Sequence, residues 1–157
     1  MKKLFALMLG TVMVLSLGAC SQGASSNDAG STASKAATKT SMNYMSVDEL
    51  NKRLGTGGYT VLDVRKAADF QTSHIPGSIS ADMDAAVQGD EAAGVSTMTP
   101  IAKDHNDTLV VVCYSGKRYA EATTKALQSL GYDMSKVITL EGGFKAWNAA
   151  FPDKVSK

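Results

Sequence analysis

At 157 residues the chain is long enough for one ordinary domain. Its 44% hydrophobic and 20% charged content is globular, which excludes a wholly disordered chain and a multi-span membrane protein. The balance of 16 basic and 15 acidic residues leaves no electrostatic footprint for nucleic acid, and two cysteines with two histidines leave little for a disulfide scaffold or a zinc site.

The chain opens with Lys2 and Lys3, followed by an almost unbroken apolar run from Leu4 to Leu15. Counted on to Ala19, that run spans only about 24 Å as a helix, against a bilayer core of roughly 30 Å. It is short for a membrane span and suits the core of a signal peptide. Leu17-Gly18-Ala19-Cys20 places small residues before a cysteine and resembles the lipobox of bacterial lipoproteins. That resemblance implies lipidation of Cys20, a signal peptide at 1–19 and an extracytoplasmic protein anchored to a bacterial membrane. The alternative is an ordinary secretory signal that ends near a cysteine. Ser21 to Met42 is rich in Ser, Ala, Gly and Thr without aromatic residues, so 20–42 reads as the lipidated cysteine and a flexible linker of about 25 Å.

Residues 43–157 form the expected domain. Ser46 followed by Glu49 predicts a capped helix start, with Leu50 and Leu54 on its apolar face. YTVLDV at 59–64 predicts a buried strand, 67–71 a short helix, 74–77 a turn and 78–80 a short strand. From Ala81 to Asp107 the signal is weak: helical pieces broken at Gly89 and Gly94, with another start near 97–100. TLVVVC at 108–113 is the clearest buried strand. A helix from Arg118 to Leu130, a strand at 136–140 and a helix at 143–149 complete the order. Strands alternating with helices predict an α/β fold, a parallel sheet covered on both faces. In such sheets sites form outside the carboxyl ends of the strands, where Asp63, Arg65 and Cys113 fall together.

Cys113 is the one thiol left if Cys20 is acylated. A lone cysteine at a strand end is ordinarily a buried structural residue. Here, however, Cys113-Tyr114-Ser115-Gly116-Lys117-Arg118 runs from a buried strand to a helix start, and such a loop can turn its N–H groups inward as an anion nest. A free cysteine is only about 3% thiolate at pH 7, and making it mostly thiolate needs roughly 3.4 kcal/mol. A helix terminus supplies about 0.3–1 kcal/mol, so two or three N–H contacts at roughly 1.5–3 kcal/mol each are expected to do the rest. Lys117 and Arg118 add positive charge for an anionic substrate.

The motifs LDVR at 62–65, Phe70, HIPGSI at 74–79, VVVCYSGKR at 110–118 and LEGGFKAW at 140–147 together resemble a single-domain rhodanese over residues 44–151. The resemblance implies a rhodanese-like domain in which Cys113 is the nucleophile and carries a sulfane sulfur as a persulfide. Tyr114, Ser115, Gly116, Lys117 and Arg118 are then the substrate-binding loop. Asp63 and Arg65 are expected to brace that loop through hydrogen bonds and charge pairing. It also implies a small anionic sulfur donor such as thiosulfate, a thiol or cyanide acceptor, no metal or organic cofactor, and a monomer. His74 is expected to make backbone contacts in its turn, Phe144 and Trp147 to pack, and Gly142-Gly143 to turn from strand to helix. Tyr119 stands where many of the family carry a small hydroxyl residue; it either narrows the pocket mouth or packs on the sheet.

Two alternatives remain: a rhodanese-fold phosphatase or arsenate reductase, and a non-catalytic interaction module tethered to a membrane. The related phosphatases use a seven-residue Cys-x5-Arg loop, whereas Cys113 to Arg118 is six residues.

Overall fold

The computed structural model describes residues 41–157. Cys20, the signal segment and the linker up to residue 40 lie outside the described residues. Five strands, β1 (Asn43–Met45), β2 (Tyr59–Asp63), β3 (Ile79–Ser80), β4 (Thr108–Val112) and β5 (Val137–Leu140), form one sheet in the order β1-β5-β4-β2-β3. All four neighbouring pairs are parallel, so the α/β architecture read from the alternation of elements is the one the chain adopts.

A parallel sheet is covered on both faces, and the side-chain alternation shows how. Leu62, Val64, Leu109, Val111 and Cys113 lie in one apolar cluster with residues of α4 (Glu91–Asp104) and α5 (Arg118–Ser129). Val61, Val110, Val112 and Leu140 lie in the other, with Leu50 of α1 (Val47–Arg53) and Phe144 and Trp147 of α6 (Gly143–Ala150). Successive residues of β2 and β4 therefore serve opposite faces, the period of two that a strand requires. Fully burying each such side chain contributes about 1.5–3 kcal/mol. Trp147 is wholly buried, and its indole N–H donates to the Lys154 carbonyl at 2.9 Å.

Local chemistry sets the helix ends. Ser46 accepts from the Glu49 N–H at 3.2 Å, as the capping pattern predicts. α5 ends in a Schellman motif: Tyr132 N–H donates to Leu127 O, Gly131 N–H donates to Gln128 O, and Gly131 has φ +74°. The short α2 (Ala67–Thr72) and α3 (Asp84–Val87) fill the connection from β2 to α4.

The weak stretch is more ordered than the sequence predicts. α4 is one helix that starts at the Asp90 cap and runs through both Gly94 and Pro100. Gly94 is buried against α3, where a Cβ would lie 2.7 Å from Ala86 Cβ, so it permits close helix packing instead of breaking the helix. Pro100 sits on the exposed face, where water can take the carbonyl that loses its partner. The expected start near 97–100 is thus helix interior. Gly89 does separate α3 from α4.

Candidate active site

β4 is central, flanked by β5 and β2, and its register puts Asp63 opposite Val112. Asp63, Arg65 and Cys113 accordingly gather at the carboxyl ends of β2 and β4. Cys113 is the first residue beyond β4, not its last, and is 2% exposed.

The loop after Cys113 is shaped from behind by the start of α6. Phe144 N–H donates to Cys113 O at 2.7 Å, and Lys145 N–H donates to Tyr114 O at 3.2 Å. These bonds hold the first two carbonyls of the loop against the start of α6. Gly116 N–H lies 3.2 Å from Cys113 Sγ. It is the one amide bonded to sulfur among the described residues, fewer than the two or three expected. Gly116 has φ +71°, and a Cβ on it would stand 2.7 Å from Leu140 O. A Cβ on Gly143 would stand 2.3 Å from Cys113 O and 2.7 Å from Ser115 N. The Gly142-Gly143 pair, read as a tight turn, therefore also lets one backbone lie directly against another. Sequence could signal the turn but not this approach, because the two segments are distant in the chain.

Asp63 and Arg65 form a buried bidentate pair, with Arg65 Nε 3.0 Å from Oδ1 and Nη2 2.7 Å from Oδ2. Nη2 also donates to Ser73 O at 2.6 Å. The guanidinium carbon lies 3.7 Å from the Phe144 ring centroid and 5.9 Å from that of Tyr114. The pair meets the loop at the Tyr114 ring and α6 at the Phe144 ring; the hydrogen bonds expected to brace the loop instead join Arg65 to Asp63 and to Ser73 O. A bidentate pair with a further acceptor satisfies both buried charges.

Lys117 is exposed and its side chain provides no cap for α5. Arg118 is also exposed, and its guanidinium donates to Val87 O at 2.9 Å, at the end of α3. Ser115 is exposed at the loop tip. Tyr114 turns its hydroxyl to Asp69, and Lys66 N–H donates to that hydroxyl at 3.3 Å. Burial, then Asp69, raise the Tyr114 hydroxyl pKa above its ordinary value. Tyr119 donates to Asp84 Oδ1 at 2.6 Å; this bond lowers the Asp84 pKa, while burial and Asp84 raise that of Tyr119. These acidic partners of the two tyrosines were missed in the sequence, since they come from α2 and α3. His74 makes the backbone contacts expected of it: it pairs with Ser156 through both backbone bonds, and its Nδ1 lies 2.9 Å from Phe70 O.

A parallel α/β sheet with a thiol at the base of a loop, beyond the carboxyl end of its central strand, defines the structural class. The rhodanese-like domain model matches residues 46–150, and the chain belongs to that family. The thiosulfate sulfurtransferase GlpE of Pseudomonas savastanoi pv. phaseolicola is 37% identical over 98 residues, covering 62% of this chain and 79% of the relative. Two solved structures share the fold at lower identity. The As-Sb reductase from Leishmania major has a TM-score of 0.55 at 20% identity, over 72% of this chain and 81% of that one. A yeast protein tyrosine phosphatase of the rhodanese family has a TM-score of 0.54 at 18% identity, over 73% and 92%.

Proposed function

We propose that the chain is a sulfurtransferase that moves a sulfane sulfur from thiosulfate, or a similar donor, to a thiophilic acceptor through a persulfide on Cys113. The observation that carries this reading is the Gly116 N–H on Sγ, in a loop whose first two carbonyls are held by α6. The thiolate, its proton released to solvent, attacks the outer sulfur of thiosulfate. As the new S–S bond forms, the old one breaks, and sulfite leaves with the bonding pair. Cyanide or a thiolate then attacks the outer persulfide sulfur and carries it away, which regenerates the Cys113 thiolate. The Gly116 amide stabilises the sulfur anion, while Lys117 and Arg118 supply positive charge at the rim. Asp63 and Arg65 hold the platform beneath. No metal or organic cofactor enters the reaction.

Lipidation of Cys20 would tether the domain, outside the cytoplasm, to a bacterial membrane through the segment up to residue 42. The lipobox-like 17–20 and the composition of 21–42 support this.

The fold neighbours that are a phosphatase and a reductase make phosphate or arsenate chemistry the competing reading. Six residues from Cys113 to Arg118 weigh against it. A tetrahedral oxyanion needs a wide ring of donors, whereas a terminal sulfur needs a tight one. A misplacement of about 1 Å can lower a rate on the order of 10²-fold. The test compares thiosulfate:cyanide sulfur transfer, aryl-phosphate hydrolysis and arsenate reduction on one preparation. Sulfur transfer should dominate; phosphatase or reductase activity exceeding it would overturn the proposal.

A further inference from the structure

Cys113 is 2% exposed although it opens a surface loop, so something covers the thiol. It belongs to the apolar cluster that joins this face of the sheet, through Leu62, Val64 and Val111, to Met83 and Ala120. Tyr119, on the first turn of α5, packs on this cluster and reaches across to α3, where Asp84 holds its hydroxyl at 2.6 Å. The Tyr114 ring meets it edge to face, with centroids 5.1 Å apart, and is itself anchored on Asp69 of α2. Lys66 completes the circuit. Its Nζ lies 3.4 Å from Asp84 Oδ2, and its N–H donates to the Tyr114 hydroxyl. α2, the loop, α5 and α3 are thereby linked in a ring at the carboxyl end of β4.

We infer that Tyr119 is the specificity-determining residue of this site, closing with Tyr114 an aromatic collar that admits slender, unbranched sulfur species to Cys113 and turns away bulky ones. This rests on the reading that Cys113 is the reacting atom. Tyr119 is a rigid ring fixed at its backbone by α5 and at its hydroxyl by Asp84. The slender class includes the exposed end of thiosulfate, a terminal persulfide and cyanide. A thiol carried on the surface of a folded protein falls outside it.

The test measures access to the thiol independently of sulfur chemistry. In a full-length Cys20→Ala background, Cys113 is the sole thiol. Second-order alkylation rates are compared for iodoacetamide and for iodoacetamidofluorescein, which has the same reactive group on a bulky body. A pocket distinguishes even one methylene by about 10–200-fold, so Tyr119→Ser should raise the bulky-to-small rate ratio by about tenfold or more. Asp84→Ala frees the hydroxyl without touching the apolar cluster and should move the ratio in the same direction. Circular dichroism shows whether Tyr119→Ser is folded; if it is not, Asp84→Ala alone decides. An unchanged ratio in Asp84→Ala, or in a folded Tyr119→Ser, overturns the inference. Thiocyanate release by the parent chain separates the two claims. A changed ratio without any sulfur transfer would remove the proposed reaction and keep the collar, and an unchanged ratio with full sulfur transfer would do the reverse.

Discussion

A methyl group on Gly143 would lie 2.3 Å from the Cys113 carbonyl oxygen, and the residue's φ of +60° already disfavours a side chain. Gly143→Ala should therefore displace the loop and lower sulfur transfer on the order of 10²-fold, as displacements of about 1 Å do. Steady-state rates beside a thermal melt would show activity falling further than stability. Asp63→Ala leaves the buried Arg65 charge without its partner and should destabilise the domain by about 3–5 kcal/mol, read from urea unfolding. The raised Tyr119 pKa has a definite pH sign. Its stabilising effect is complete below the unfolded tyrosine value of about 10 and is lost as pH rises towards the higher folded value. Tyr119→Phe should flatten the alkaline fall in melting temperature; an identical alkaline profile would contradict this coupling. At this scale the sequence was readable where chemistry is local. Cys113, Asp63 and Arg65 sit at the ends of strands with a clear apolar signal. Asp69 and Asp84 were not readable, because their partnership with Tyr114 and Tyr119 is created by how α2 and α3 pack.

Among the elements, α6 has a double role. Its Phe144 and Trp147 bury one face of the sheet, and its first amides hold the loop carbonyls. The strongest strands and α5 were legible because a long apolar run or a helical stripe with a glycine stop leaves little choice. α4 was not, since Gly94 and Pro100 are helix breakers by local chemistry and are tolerated for tertiary reasons: one is needed by the close approach of α3, the other faces water. Gly94→Ala should accordingly destabilise the domain by about 1–3 kcal/mol through overpacking against Ala86, despite alanine's better helix propensity. A gain in stability in chemical denaturation would refute that account. β1 escaped notice too. Three residues with one buried side chain carry no readable alternation, and the strand exists through its pairing with β5.

At the scale of the whole molecule, the domain matched by the rhodanese-like model follows an apolar N-terminal run and a Ser-, Ala- and Thr-rich segment whose proposed role is attachment. Cys20→Ala should leave unprocessed precursor that incorporates no labelled fatty acid, and unchanged labelling would remove the lipoprotein reading. The fold was legible at this scale because several spaced motifs agree on one strand and helix order, although no one of them suffices. The central claim is that Cys113 alone carries sulfur. Its most direct test is mass spectrometry of the full-length protein after thiosulfate treatment, with peptide mapping and a cyanide chase. The account predicts one added sulfur atom on the Cys113 peptide, its removal as thiocyanate, and neither event in Cys113→Ser. Persistent sulfur transfer by that variant, or a thiosulfate-treated parent chain that gains no sulfur, would contradict it.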